Sequence, residues 1–529
     1  MTNDTRSMNT RPDFPDWLSP MLIKELRQGM RSRVFLFCFL AIQAAMIFLA
    51  LMGLLKASVQ DSIESISVFF WIIVGLPLLL IMPFSGLSSI SREKTANTLE
   101  LIFLTRLTAR RIVFGKWIAI VAQTLLLVAA ILPYAVMRYY LGGVNITLEL
   151  TTLAWMLGGS ALMTSVTVGL SPLMGRVGRV LMPFAIFIAM YIALIVISEM
   201  SMGVSMWRLD WQMAAVLALQ SLFLALLMLE VGAGKIGPAA ENHSTVKRLL
   251  ALASTGTTVV YSYLPGAQWT MWLVTLLIAG PVLIGAVCEP IREIPSVYRP
   301  FLRLGVFGRA LGRLLYPGWP AGVFFALLIL VLAGFRIDEL MTGAHYLHPL
   351  RAPGTHIRML AVPGPTAIHP VPTITYLLTT RILEVAVLGA FLMPVAFFRL
   401  LRVKIPVPTL LYFLFHGALA LLSLVGVLVT EYGVNHAYRP GPSGVEQALA
   451  WIPTCTLFLL SRIGNWGNEQ IVTVLGGVSV VTFLTTLFLL GRLWLAWRTI
   501  SALEKTAAAL TPAAGPSSAP DAARPVPAA

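Results

Sequence analysis

The chain has 529 residues, of which 57% are hydrophobic and only 12% charged, and its mean hydropathy is +0.83. This composition excludes a soluble globular protein, and the apolar runs leave no polar stretch long enough for a fused catalytic or ATP-binding domain. In a membrane protein the net charge of +15 is first a statement about topology, and no nucleic-acid partner is expected from it.

Residues 1–16 (MTNDTRSMNTRPDFPD) are polar and lack an apolar core, so they are expected to be a disordered cytoplasmic tail rather than a cleaved signal. Crossing the hydrocarbon as a helix takes about 20 apolar residues. That ruler predicts spans at 34–55, 67–90, 117–137, 148–170, 180–198 and 211–229. Next come a hairpin over 249–288 that turns at Pro265-Gly266, and spans at 319–335, 375–398, 408–430 and 470–491. The fold class expected is therefore an all-α polytopic membrane protein of about twelve transmembrane helices, with 448–461 left over as a short apolar segment. With both termini inside, the cytoplasmic segments hold 29 of the 38 cations, in keeping with the enrichment of Lys and Arg in inner loops. Residues 506–529, rich in Ala and Pro, are expected to be a disordered tail.

Between the second and third spans lies 91–116, SREKTANTLELIFLTRLTARRIVFGK. Leu99, Ile102 and Phe103 recur at helical spacing among Glu93, Glu100, Arg106, Arg110 and Arg111, the pattern of a short amphipathic helix on the inner face. Thr108 is placed to cap a helix beginning near Arg110.

Glu93, Thr98-Leu99-Glu100, Leu107-Thr108 and Gly115-Lys116, together with the entry segment LSPMLIKELRQGMRSR at 18–33, resemble the intracellular loop and the membrane-entry helix of type-2 ABC transporter permeases. The likeness covers about residues 17–234, the six spans such permeases normally have, and leaves 235–505 as an additional membrane half. Asn97 stands where the family has Gly, Arg106 where it has Pro, and Ser19 where it has Asn. The resemblance implies a permease subunit without enzymatic activity or cofactor. It implies an exporter in the inner membrane, working as a homodimer or heterodimer and coupled to a separate ATPase subunit. The docking residues it implies are Glu93, Thr98, Leu99, Glu100, Arg106 and Arg110. A secondary carrier driven by an ion gradient, and a membrane-embedded scaffold or enzyme, are the alternatives.

RPFLRLGVFGRALGRLLYPG (299–318) precedes the span at 319–335 much as the entry helix precedes the first span. Gly232-Ala233-Gly234-Lys235-Ile236 approaches a phosphate loop, but Leu229 stands where Gly is needed and Ile236 where Ser or Thr is needed, so no nucleotide site is expected. Arg381 and Glu384, at i and i+3, are expected to pair on one helix face or to mark a substrate path. Gln43, Gln123, Gln220 and His416 are read as helix-to-helix hydrogen-bonding groups. The outer loop 336–372 holds His345, His348, His356 and His369 among six prolines. The spacing of His345 and His348 matches no defined metal site, so these two are the weak metal candidates and a lid or docking loop is preferred. Cys38, Cys288 and Cys455 show neither disulfide nor metal-cluster spacing.

Overall fold

The computed structural model describes residues 20–55, 61–95, 107–140, 145–173, 211–238, 241–264, 270–291, 295–347, 373–400, 408–432, 444–463 and 466–509. These residues are almost entirely helical, with no strand among them. Among the described residues seven helices are long and apolar enough to cross a membrane, and an eighth is reached when the bent pair Gly305–Leu315 and Trp319–Gly334 counts as one span. Their outer faces carry large apolar side chains, among them Phe37 at 73% exposure and Phe48 at 58%, a surface suited to lipid rather than water. The chain is an all-α, multi-pass membrane protein. The span expected at 180–198 lies outside the described residues. The described residues divide between His243 and Ser244 into two compact units.

In the first unit, Pro20–Met30 is a short helix ahead of Arg33–Leu55, and Ser32 caps the latter by accepting from Phe35 N at 3.2 Å. The span expected at 67–90 is composite. Asp61–Leu76 passes into a π-helical turn at Pro77–Ile81, then Met82–Ser85 and a 3-10 turn at Gly86–Ser88. Pro77 and Pro83 cannot donate to the helical ladder, and the backbone widens and tightens around them. Side chains at the end of a neighbouring helix hydrogen-bond to the backbone of this stretch. Thr167 Oγ1 donates to Pro83 O at 2.7 Å, and Ser171 Oγ accepts from Ile90 N and Ser91 N at 3.2 Å each. Ala109–Tyr140 forms the next span, beginning eight residues ahead of the predicted 117. Thr108 Oγ1 faces Arg111 N at 3.5 Å, the capping position read from sequence.

Ile146–Leu170, capped by Asn145 Oδ1, crosses Trp211–Ile236 at two glycines. A Cβ on Gly169 would lie 2.1 Å from Met228 O, and one on Gly232 2.9 Å from Gly169 Cα. Only glycine permits that approach. The core of this unit runs through Ile42, Phe70, Val74, Leu78, Ile131, Val168 and Leu229. Gln43 joins two helices, donating to Ala130 O at 3.3 Å and accepting from Tyr134 Oη at 2.9 Å.

In the second unit the predicted hairpin is Ser244–Tyr261 and Thr270–Cys288, linked by Thr258 and Thr275 hydroxyls 2.6 Å apart. Arg248, 1% exposed, reaches Glu289 Oε2 at 3.2 Å, Leu314 O at 3.1 Å and Gly318 O at 3.1 Å. Pro295–Leu302 and Gly305–Leu315 follow, then Trp319–Leu347, which extends helically through 336–347 where a loop was expected. Tyr316 is buried between Tyr298 and Phe301 at ring distances of 4.8 and 5.2 Å.

Thr373–Leu400 and Pro408–Tyr432 are helices over the stretches where spans were expected at 375–398 and 408–430. The leftover 448–461 is two short helices, Gly444–Leu449 and Pro453–Ile463, the second too short to cross. His416 Nδ1 lies 3.0 Å from Thr454 Oγ1, bridging helices as expected. Asn468–Ala509 is a single helix of 42 residues, about 63 Å long at 1.5 Å per residue. It continues far beyond the predicted end at 491, and its extension carries Arg492, Arg498, Glu504 and Lys505.

Candidate functional site

The ion pairs of the first unit gather near helix ends, at the beginning of Ala109–Tyr140 and toward the end of Trp211–Ile236. The Pro20–Met30 helix divides into two faces. Leu22, Glu25, Leu26 and Gly29 are partly buried, whereas Lys24, Arg27, Gln28 and Arg31 are exposed. Gly29 sits so close to Gln123 of the Ala109–Tyr140 helix that a Cβ there would fall 1.9 Å from Gln123 Nε2. Alongside that contact, Lys116 Nζ lies 2.8 Å from Glu93 Oε1 and 3.1 Å from Glu25 Oε1. The Lys116 side chain is only 4% exposed. One buried ammonium therefore ties the entry helix, the start of the 91–116 segment and the third span together. Two carboxylates sharing that cation offset the cost of desolvating it.

A second ion pair sits on the other side of the loop. Arg110 Nε donates to both carboxylate oxygens of Glu230 at 3.0 Å. Its Nη2 donates to Glu230 Oε1 at 2.8 Å and to Asn242 O at 3.0 Å. This is the forked geometry for which guanidinium is suited. Glu230, 4% exposed, also meets His243 Nδ1 at 2.8 Å, and His243 Nε2 lies 3.1 Å from Glu241 Oε2. The end of the Trp211–Ile236 helix, the segment after it and the beginning of Ala109–Tyr140 are thus held as one assembly.

Of the residues implied by the resemblance, Glu93 and Arg110 are each turned into an internal ion pair. Thr98, Leu99, Glu100 and Arg106 lie outside the described residues, as do Ile102 and Phe103. In the chain, Glu93 comes before residues 96–106 and Arg110 after them, the first held through Lys116 to the entry helix and the second held to the Trp211–Ile236 helix. Sequence reading quoted Lys116 and Glu25 within motifs but gave them no partner, and it missed Glu230, Asn242 and His243. The signal available was a lone carboxylate in the last turns of an apolar span, Glu230, which is costly unless paired.

Gly232 to Ile236, the near match to a phosphate loop, is the end of a helix and serves the crossing with Gly169. Arg381 lies on the Thr373–Leu400 helix, while the Glu384 side chain lies outside the described residues. His345 falls on the extended Trp319–Leu347 helix with its side chain outside the description, and His348 lies outside altogether. Among the described residues no three His, Cys, Asp or Glu side chains are arranged to hold a metal ion, and Cys38, Cys288 and Cys455 form no disulfide.

No family model, curated protein or solved structure matches the chain.

Proposed function

We propose that this chain is the membrane-spanning permease subunit of an ATP-driven ABC exporter. It works as a pair of such subunits in the inner membrane, with about twelve spans and both termini cytoplasmic. Nucleotide is hydrolysed on a separate ATPase subunit that docks on 91–116, where Thr98, Leu99, Glu100 and Arg106 make the contact.

The observation that carries this reading is the pair of ion-paired residues, Glu93 and Arg110, on the two flanks of the docking stretch. Glu93 is bound through Lys116 to Glu25, and Arg110 is bound to Glu230. A loop that receives force from a soluble motor must pass it to the spans without slack, and ion pairs on both flanks of it, the Lys116 one buried and the Arg110 one forked, support that reading. Substrate follows no clue in the apolar faces, which are built of Leu, Val, Ala and Phe.

The test is affinity purification of the full-length chain from its own membranes in mild detergent. An ATP-hydrolysing subunit is expected to co-purify and to be lost with Glu100→Lys, while the melting temperature of the permease stays unchanged. A partner-free protein that moves solute on an ion gradient alone contradicts the proposal.

A further inference from the structure

The second unit carries a helix whose outer face is exposed among the described residues and whose axis is fixed by the fold. Gly305–Leu315 meets Trp319–Gly334 at 90°. The elbow between them is locked from within. Gly318, at φ +111°, takes a backbone conformation that side-chain-bearing residues rarely adopt. Its N–H donates to Glu289 Oε2 at 3.0 Å, its carbonyl accepts from Arg248, and Trp319 N donates to Glu289 O at 2.9 Å. Thr245 Oγ1 donates to Leu315 O at 2.9 Å. If Trp319–Gly334 runs across the bilayer, the helix before it lies along the membrane plane.

Its two faces differ in chemistry. Gly308, Gly312 and Leu315 are buried, and Arg313 reaches Glu504 Oε2 at 3.0 Å while stacking 4.1 Å above the Trp497 ring. Outward, Val306 is 84% exposed and Phe307 74%, with Leu304 in the preceding turn at 61%. Exposed Arg303 and Arg309 flank them. Water is a poor solvent for three such side chains on two turns. The level of the helix is marked independently by the long helix it is paired to, where Trp494 and Trp497 are exposed, the residue type that collects at the membrane–water boundary.

We infer that Gly305–Leu315 is an interfacial helix that seats Leu304, Val306 and Phe307 among the acyl chains of one leaflet and holds anionic phospholipid headgroups with Arg303 and Arg309. The apolar face supplies insertion to a depth of about 5–10 Å, and the two guanidinium groups supply selection for negative headgroups. The inference is independent of which motor, if any, the protein engages.

The experiment places the photoreactive analogue p-benzoylphenylalanine at Phe307 of the full-length protein. That protein is reconstituted in vesicles of phosphatidylglycerol and phosphatidylcholine, irradiated, and the labelled peptide read by mass spectrometry. A phospholipid adduct enriched in phosphatidylglycerol is expected. In the Arg303→Gln/Arg309→Gln background the enrichment is expected to fall by about fivefold per arginine removed, with the melting temperature held. Absence of a lipid adduct overturns the inference, as does an adduct whose lipid ratio ignores the two arginines, or one that forms only to an added soluble protein.

Discussion

Arg110 and Glu230 stand 120 residues apart in the chain and meet through three guanidinium hydrogen bonds of 2.8 to 3.0 Å. The pair joins the beginning of one membrane helix to the end of another at the point where the 91–116 segment re-enters the bundle. Its counterpart is Lys116 between Glu25 and Glu93.

The two pairs differ in burial, and that sets different expectations. The Arg110 side chain is 41% exposed, so water screens it. A double-mutant cycle with Arg110→Ala and Glu230→Gln is expected to give a coupling of about 1 kcal/mol. Chemical unfolding in detergent measures it, and a coupling near zero removes Arg110 as an anchor.

Lys116 is nearly sealed from solvent. Lys116→Met leaves two partly buried carboxylates facing each other and is expected to destabilise the fold by about 3–5 kcal/mol. Adding Glu25→Gln and Glu93→Gln to that variant is expected to recover most of the loss. Melting curves of the three proteins check the order.

Much of this architecture could be read from the residues alone, and the gaps have physical causes. Long apolar runs between basic loops announced the membrane helices, and Thr108 announced the start of one. Helix length failed where composition changes without a breaker. Residues 336–347 and 492–509 are polar enough to look like loops, yet they contain no proline and a single glycine, and the preceding helix continues into them. The composite span at Pro77–Ser88 carried a legible signal in Pro77 and Pro83, which counting span length alone passes over. Pairings such as Arg110 with Glu230 depend on which helices pack together, and that information is not local. Gly232 shows the converse hazard, since a glycine suited to a phosphate loop is equally suited to a close helix crossing.

Glycines offer a clean contrast. Gly169→Ala forces a methyl onto the Met228 carbonyl and is expected to cost about 1–3 kcal/mol. Gly115, beside Lys116, has nothing within 4 Å of its missing Cβ, so Gly115→Ala is expected to stabilise the helix by about 0.5–1 kcal/mol. Thermal unfolding of both variants tests the pair. If Gly115→Ala weakens ATPase binding while raising stability, the open space beside Gly115 is occupied by the partner.

Arg248 is the strut of the second unit. Arg248→Met leaves Glu289 without its cation and two carbonyls, Leu314 O and Gly318 O, without that donor, a loss expected to be about 3–5 kcal/mol. Arg248→Met/Glu289→Leu is expected to recover little, because Glu289 also accepts from Ser244 Oγ and Gly318 N. Full recovery in unfolding measurements would show that the elbow at Gly318 does not depend on this carboxylate.

The most direct measurement of the central claim is photocrosslinking from position 99 of the full-length protein in its own membranes, with p-benzoylphenylalanine replacing Leu99. The account predicts a covalent product with a chain that hydrolyses ATP, formed from position 99 and absent from position 37, where Phe37 faces outward on the first span. Crosslinks from position 99 only to lipid or to the protein itself, in membranes where solute export continues, would contradict it.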